Sequence, residues 1–187
     1  MNTQNKRDLP CGERVHGTAE SRLEDIRLML SPTRDDVELA DDGTLDTVLT
    51  IGDEQFRFSD TEAYRDDDGT LDLDAMLDDV FDEMADTMLE RFYEYGLAFD
   101  YVEPHTFTDQ DEGYLRFQIS CGGPSEEIRY YVSPLRRGYE LHRAEFWLHD
   151  WFDGAYRNVT NDERARAVFD LFNECGSVDS AIQDAAG

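Results

Sequence analysis

From Leu73 to Tyr95 the chain sets an apolar residue at every third or fourth position and an acid on nearly every turn between them. At 100° per residue, Leu73, Leu77, Val80, Phe81, Met84, Met88, Phe92 and Tyr95 fall within an arc of about 120°. Asp78, Asp79, Asp82, Glu83, Asp86, Glu90 and Glu94 occupy the opposite arc of about 160°. The spacing predicts one long helix that buries one face and presents carboxylates from the other. Asp72 or Thr70 can cap its start, acids in the first turn suit the helix dipole, and Gly96 is placed to close its end.

Alternation marks the strands. Leu45, Thr47, Leu49 and Ile51 alternate with Asp46, Val48 and Thr50, and after Gly52-Asp53-Glu54 the pattern resumes with Phe56 and Phe58 around Arg57, which predicts a hairpin with one apolar face. The hexapeptide Asp-Asp-Gly-Thr-Leu-Asp occurs at 41–46 and again at 67–72, as repeated turn chemistry. Leu97–Tyr101 reads as a strand leading into a polar loop, 103–113. Leu115, Phe117, Ile119 and Cys121 pair across Gly122-Gly123-Pro124-Ser125 with Ile128, Tyr130 and Val132 as a second hairpin. Tyr139–Trp151 reads as a long central strand with both faces partly covered. Thr160-Asn161-Asp162-Glu163 is a capping box before a last helix, with Ala165, Val168, Phe169 and Phe172 inward and Gly176 at its end.

The expected architecture is therefore α+β: an antiparallel sheet of two hairpins plus a long strand, with two main helices packed on it. Residues 1–20 are polar and aperiodic and read as a flexible tail. Glu20–Leu30 is a short helix ended by Ser31-Pro32. A single domain is expected over 21–180, with an acidic subregion at 35–112. No apolar run approaches the roughly 18 residues of a membrane span, and no signal peptide is visible. Cys11, Cys121 and Cys175, without a Cys-x-x-Cys pair, suggest a reducing, cytoplasmic setting.

Charge narrows the function. Of 187 residues, 44 are acidic and 17 basic, giving a formal charge of −27. Residues 1–34 are net +1, residues 35–112 net −24, and residues 113–187 net −4. Direct binding to nucleic acid or to an anionic membrane is disfavoured, since both need positive charge at the contact. One lysine against sixteen arginines fits a salt-adapted protein. Salt adaptation, however, spreads acidity over a whole surface, whereas here it is concentrated. Such concentration carries self-repulsion and implies a local role.

Asp74, Asp78, Asp82, Asp86, Glu90 and Glu94 lie four residues apart, about 6 Å along the helix axis. Duplex DNA carries a charge every ~1.7 Å, so one row is too sparse to imitate it. Asp79, Glu83 and the acids at 60–72, among them Asp66, Asp67 and Asp68, roughly double the density. In EF-hand register with Gly69 sixth, Asp66, Asp68 and Asp72 fit, but Tyr64 and Ala75 occupy the first and twelfth positions and cannot ligate through a carboxylate. No metal site or cofactor is expected. His142, His149 and Asp150 with Glu140 and Glu145 form the one cluster suggestive of acid–base work, without a partnered nucleophile. His105 lies in the polar loop with Asp109 and Asp111. Trp147, Trp151, Phe146 and Phe152 read as core and sheet surface, with a protein interface near Asp150 and Asp153 as the alternative.

Tyr95-Gly-Leu-Ala-Phe-Asp-Tyr101, Cys121-Gly-Gly-Pro-Ser-Glu-Glu-Ile-Arg129 and Asp150-Trp-Phe-Asp-Gly-Ala155 together resemble a group of uncharacterised acidic proteins of bacterial plasmids and other mobile elements. The resemblance covers roughly residues 90–175 and implies a mobile-element setting. In composition alone the chain is similar in kind to DNA-mimic proteins that inhibit restriction or CRISPR machinery.

The expectation is a non-enzymatic decoy. It presents Asp66, Asp67, Asp68, Asp74, Asp78, Asp79, Asp82, Glu83, Asp86, Glu90 and Glu94 to the basic groove of a restriction, CRISPR or nucleoid-type protein, and a homodimer is compatible with this. The alternatives are an immunity or antitoxin protein for a basic toxin, an enzyme using His142 and His149, and a salt-adapted domain without a mimic role.

Overall fold

A computed structural model describes residues 9–41, 47–59 and 61–187. The first eight residues, and Leu45 and Asp46 of the first hairpin pattern, lie outside the described residues, as do Asp60 and the first copy of the repeat beyond Asp41. The fold is α+β, with antiparallel sheets throughout the described residues. Among the described residues the strands form two sheets, where one was expected, and there are four α-helices, where two main ones and the short Glu20–Leu30 helix were expected. The chain divides into two compact units: the larger holds the described residues up to Glu24 together with Glu94–Gly187, the smaller Asp25–Tyr93.

Helix α1 runs Cys11–Leu30, so residues 11–20 are its first half and not a tail. Cys11, Val15, Ala19, Leu23 and Ile26 are buried at helical spacing. The helix also begins on a cap from far along the chain: the Asp153 carboxylate accepts the Cys11 backbone N–H at 2.5 Å. That contact answers one of the four unpaired donors at a helix start. It also holds the Asp153 carboxyl below its ordinary range, the Cys11 N–H being the main cause.

In the smaller unit, β1 (Val37–Asp41), β2 (Thr47–Ile51) and β3 (Glu54–Phe58) form a meander in chain order. The predicted hairpin is β2–β3, with Thr47, Leu49 and Ile51 buried. Helix α2 spans Leu73–Tyr95, as its periodicity predicts, and buries Met76, Leu77, Met84, Met88 and Phe92. Asp72 caps it by accepting the Ala75 N–H at 3.0 Å.

In the larger unit, β4 (Ala98–Val102), β5 (Tyr114–Ser120), β6 (Ser125–Pro134), β7 (Tyr139–Asp150) and β8 (Asp153–Asn158) follow one another in an antiparallel meander. The long strand β7 is next to the edge because β8, absent from the sequence reading, pairs with it from Glu145↔Asn158 to Asp150↔Asp153. One face carries the core: Leu115, Phe117, Ile128, Tyr130, Ala144, Phe146 and Leu148 are buried there. Helix α3 (Glu163–Glu174) buries Ala165, Val168 and Phe169, and the Tyr130 hydroxyl donates to the Ala165 carbonyl at 3.0 Å. Phe172 stacks on Phe99 at 4.1 Å. Asp162 caps α3, not Thr160 of the expected capping box, whose hydroxyl instead accepts the Ala144 N–H of β7. Gly176, at φ 82°, starts a further helix, α4 (Ser177–Ala185).

Gly96 follows α2 for a reason other than helix capping. A Cβ there would sit 2.2 Å from the Phe117 ring. Gly96→Ala therefore overpacks the sheet, and the expected destabilisation is about 1–3 kcal/mol by urea unfolding.

Candidate functional site

All the carboxylates of α2 point to water: Asp74, Asp78, Asp79, Asp82, Glu83, Asp86, Glu90 and Glu94 are exposed, while the methionines and Phe92 face inward. Asp74 to Glu90 belong to the smaller unit and Glu94 to the larger. Among the described residues, Asp78 is the one member of this row with a cationic partner, Arg34 at 2.6 Å, and both side chains remain well exposed. Asp79 accepts the Tyr64 hydroxyl at 2.9 Å. Arg91, the only cation on the helix, is turned to Glu54 on β3 at 2.9 Å. The stripe is thus left almost unneutralised, the condition under which its field extends into solvent.

Asp66, Asp67 and Asp68 are exposed too, but two of them are partly engaged. Asp66 accepts the backbone N–H groups of Asp68 and Thr70, and Asp68 accepts the Thr70 hydroxyl at 2.6 Å. The Thr70 hydroxyl is the main cause holding Asp68 below the ordinary carboxylate range. These are turn-forming bonds, so the Asp-rich loop is organised by its own backbone. Among the described residues, no group of three or more His, Cys, Asp or Glu side chains is placed to hold a metal ion.

A second feature was not read from the sequence. On the sheet face opposite the core, alternate residues of β5, β6 and β7 line a cavity of about 810 Å³ walled by the 107–112 segment. Its floor is a ladder of cations and rings. Arg143 lies 3.7 Å from the Tyr131 ring, and Tyr131 neighbours Tyr114 at 5.7 Å. Arg129 lies between Tyr114 at 4.6 Å and Trp147 at 4.1 Å, and Trp147 stacks on Tyr156 at 4.9 Å. Such contacts contribute about 0.5–2 kcal/mol each.

Buried glutamates balance the cations. Glu127 accepts Arg129 Nε at 2.6 Å, and Arg129 Nη2 donates to His149 Nε2 at 3.1 Å. Glu145 accepts Trp147 Nε1 at 2.9 Å and the Tyr131 hydroxyl at 3.3 Å. Burial pushes the Glu127 carboxyl up, but the adjacent His149 ring and Arg129 guanidinium outweigh it and hold the group below its ordinary value. Burial lifts the Tyr114 phenol to about 12. The wall is set by Gln110, whose amide donates to the Glu103 and Glu112 carbonyls at 3.0 and 2.7 Å.

The structure does not gather the acid–base cluster. Glu145 and His149 share the ladder face, but His142 sits 3.5 Å from Glu112, Asp150 pairs with Arg14 at 2.6 Å, and Glu140 is exposed. His105 is 3.9 Å from Asp111, and both are exposed. Of the four aromatics, Phe146 is core and Trp147 is in the ladder, whereas Trp151 and Phe152 stand in solvent. The period-2 alternation of Arg116, Gln118, Glu127, Arg129, Arg143, Glu145 and Trp147 was the sequence signal for the ladder face.

No protein-family model, curated protein or solved structure matches this chain.

Arg129→Met takes from buried Glu127 its guanidinium partner and leaves it the His149 ring, a change expected to cost about 3–5 kcal/mol; Arg129→Met/Glu127→Leu recovers most of that loss. Because the Glu127 carboxyl is depressed in the folded state, its contribution is present above the unfolded value of about 4.3. It is lost as pH falls through the folded value. Urea midpoints measured from pH 6 to pH 3 should show a shallower acid-side fall for Glu127→Gln than for the wild type.

Proposed function

We propose that the protein is a non-enzymatic acidic decoy that occupies the basic nucleic-acid-binding groove of another protein. The observation that carries this reading is the outward row from Asp74 to Glu90, where every carboxylate is exposed and one alone has a cationic partner among the described residues. One-signed surfaces of this kind steer oppositely charged partners and then compete with phosphate for the same arginines and lysines. Asp67 is exposed as well and adds to the acidic surface, and Asp66 and Asp68 contribute less because their oxygens also serve the loop. A restriction, CRISPR or nucleoid-type target accords with the mobile-element setting implied by the resemblance in 90–175.

The uneven charge of the two units also favours this reading over general salt adaptation: Asp25–Tyr93 is net −17, whereas the larger unit, with more residues, is net −10. Several arginines of the larger unit are paired with carboxylates: Arg14 with Asp150, Arg22 with Glu126, Arg116 with Asp100 and Arg164 with Asp162. Acidity that served solubility in brine alone would be spread more evenly over the two units.

The test is displacement of labelled duplex DNA from purified basic proteins: a nucleoid-associated protein, a restriction endonuclease and a CRISPR effector complex. The chain is expected to displace DNA from at least one of them at 50 mM salt, and less well at 300 mM, since screening shortens the reach of exposed charges. Asp82→Asn/Glu83→Gln/Asp86→Asn/Glu90→Gln should weaken displacement on the order of tenfold and leave the melting temperature unchanged or higher. No displacement from any of the three, or equal displacement by the variant, overturns the reading.

A further inference from the structure

The turn joining β7 to β8 breaks the ordinary rules of hairpin chemistry. Its two residues are Trp151 and Phe152, between the paired Asp150 and Asp153. Trp151 takes φ 57°, in the region where hairpins of this length normally place glycine, because a side chain crowds the backbone there. Neither side chain gains burial in return: Trp151 is 88% exposed and Phe152 fully exposed. Local rules broken without a packing gain mark a functional element more often than a structural one.

The turn is also held firmly from both sides. Asp150 pairs with Arg14 at 2.6 Å, and Asp153 caps the start of α1. The two rings are therefore carried on a fixed base instead of a loose loop. Exposed, pre-placed Trp and aromatic neighbours are the side chains that dominate protein interfaces, since they bring large apolar area at little ordering cost.

The net charge selects what the tip meets. A chain of −27 is repelled by an anionic lipid surface and by a second copy of itself. Two rings also supply about 500 Å² at most, short of the roughly 800 Å² per partner that a stable dimer needs. A basic protein is attracted instead of repelled, and its contact with the α2 carboxylates in the proposed function makes up the area that the two rings lack. We infer that Trp151 and Phe152 form an apolar anchor that inserts into a hydrophobic pocket on a basic protein partner. The inference presupposes the basic partner of the proposed function and adds a determinant that charge alone does not provide: a contact that resists salt.

The chain contains two tryptophans, so 5-fluorotryptophan labelling gives two ¹⁹F resonances, assigned with Trp151→Phe. The probe is whichever of the three DNA-binding proteins the chain displaces from DNA. On its addition the Trp151 resonance should shift or broaden while that of Trp147 stays in place. Trp151→Gly/Phe152→Asn puts glycine at the positive-φ position, so its melting temperature should hold or rise. Its affinity for the probe should fall about tenfold or more, with the larger loss at 300 mM salt. A Trp151 resonance unmoved by the probe, or full affinity in the double variant, overturns the anchor and leaves the decoy reading standing. Displacement from none of the three proteins ends both. A Trp151 shift produced by phosphatidylcholine or phosphatidylglycerol vesicles, or by raising the chain's own concentration, overturns the anchor in favour of a lipid or a second copy.

Discussion

Like charges on successive turns of α2 repel one another, and nothing on the helix relieves them: Arg91 is its only cation and is drawn off to Glu54. Each such i,i+4 pair opposes an isolated helix by about 0.2–0.5 kcal/mol. The helix therefore exists because its other face is buried, through Met76, Leu77, Met84, Met88 and Phe92. The same burial that stabilises it fixes which way the acids point. A repulsive row is kept in register by an apolar row one-half turn away, and the functional reading follows from that arrangement.

The larger unit handles charge in the opposite manner. Arg129 and Arg143 are laid flat against aromatic rings and matched to glutamates beneath, so the open face of the sheet is ordered without being strongly charged. Pairing of this kind is costly to break from one side and contributes little net field at a distance. Two treatments of charge thus sit in one chain: carboxylates paired with arginines beneath the open face of the sheet, and carboxylates displayed along α2. The tip at Trp151 and Phe152 adds exposed apolar surface to the larger unit.

Much of this was legible in the sequence. The bounds of α2 could be read to the residue because eight large apolar side chains keep strict helical spacing and Asp72 stands where a cap belongs. Both hairpins, β2–β3 and β5–β6, followed from alternation. The first half of α1 could not be read, since its buried positions include the small Cys11 and Ala19 and its cap comes from Asp153, distant in sequence. Strand β8 was missed because its exposed edge sequence, Asp-Gly-Ala-Tyr-Arg-Asn, has no apolar row. Of the candidate site, the exposure of the α2 acids was foreseen. The engagement of Asp66 and Asp68 by Thr70 was not, because turn hydrogen bonds leave the same residue pattern as a free acidic loop.

The most direct measurement is carboxylate footprinting. Carbodiimide and glycine ethyl ester modify accessible Asp and Glu side chains, and mass spectrometry locates the adducts in the free chain and in its complex with a DNA-binding protein. The account predicts protection at Asp74, Asp78, Asp82, Asp86 and Glu90 on complex formation, with Asp179 and Asp184 of α4 as reactive as before. Unchanged labelling along α2, with protection confined to carboxylates elsewhere, would contradict it.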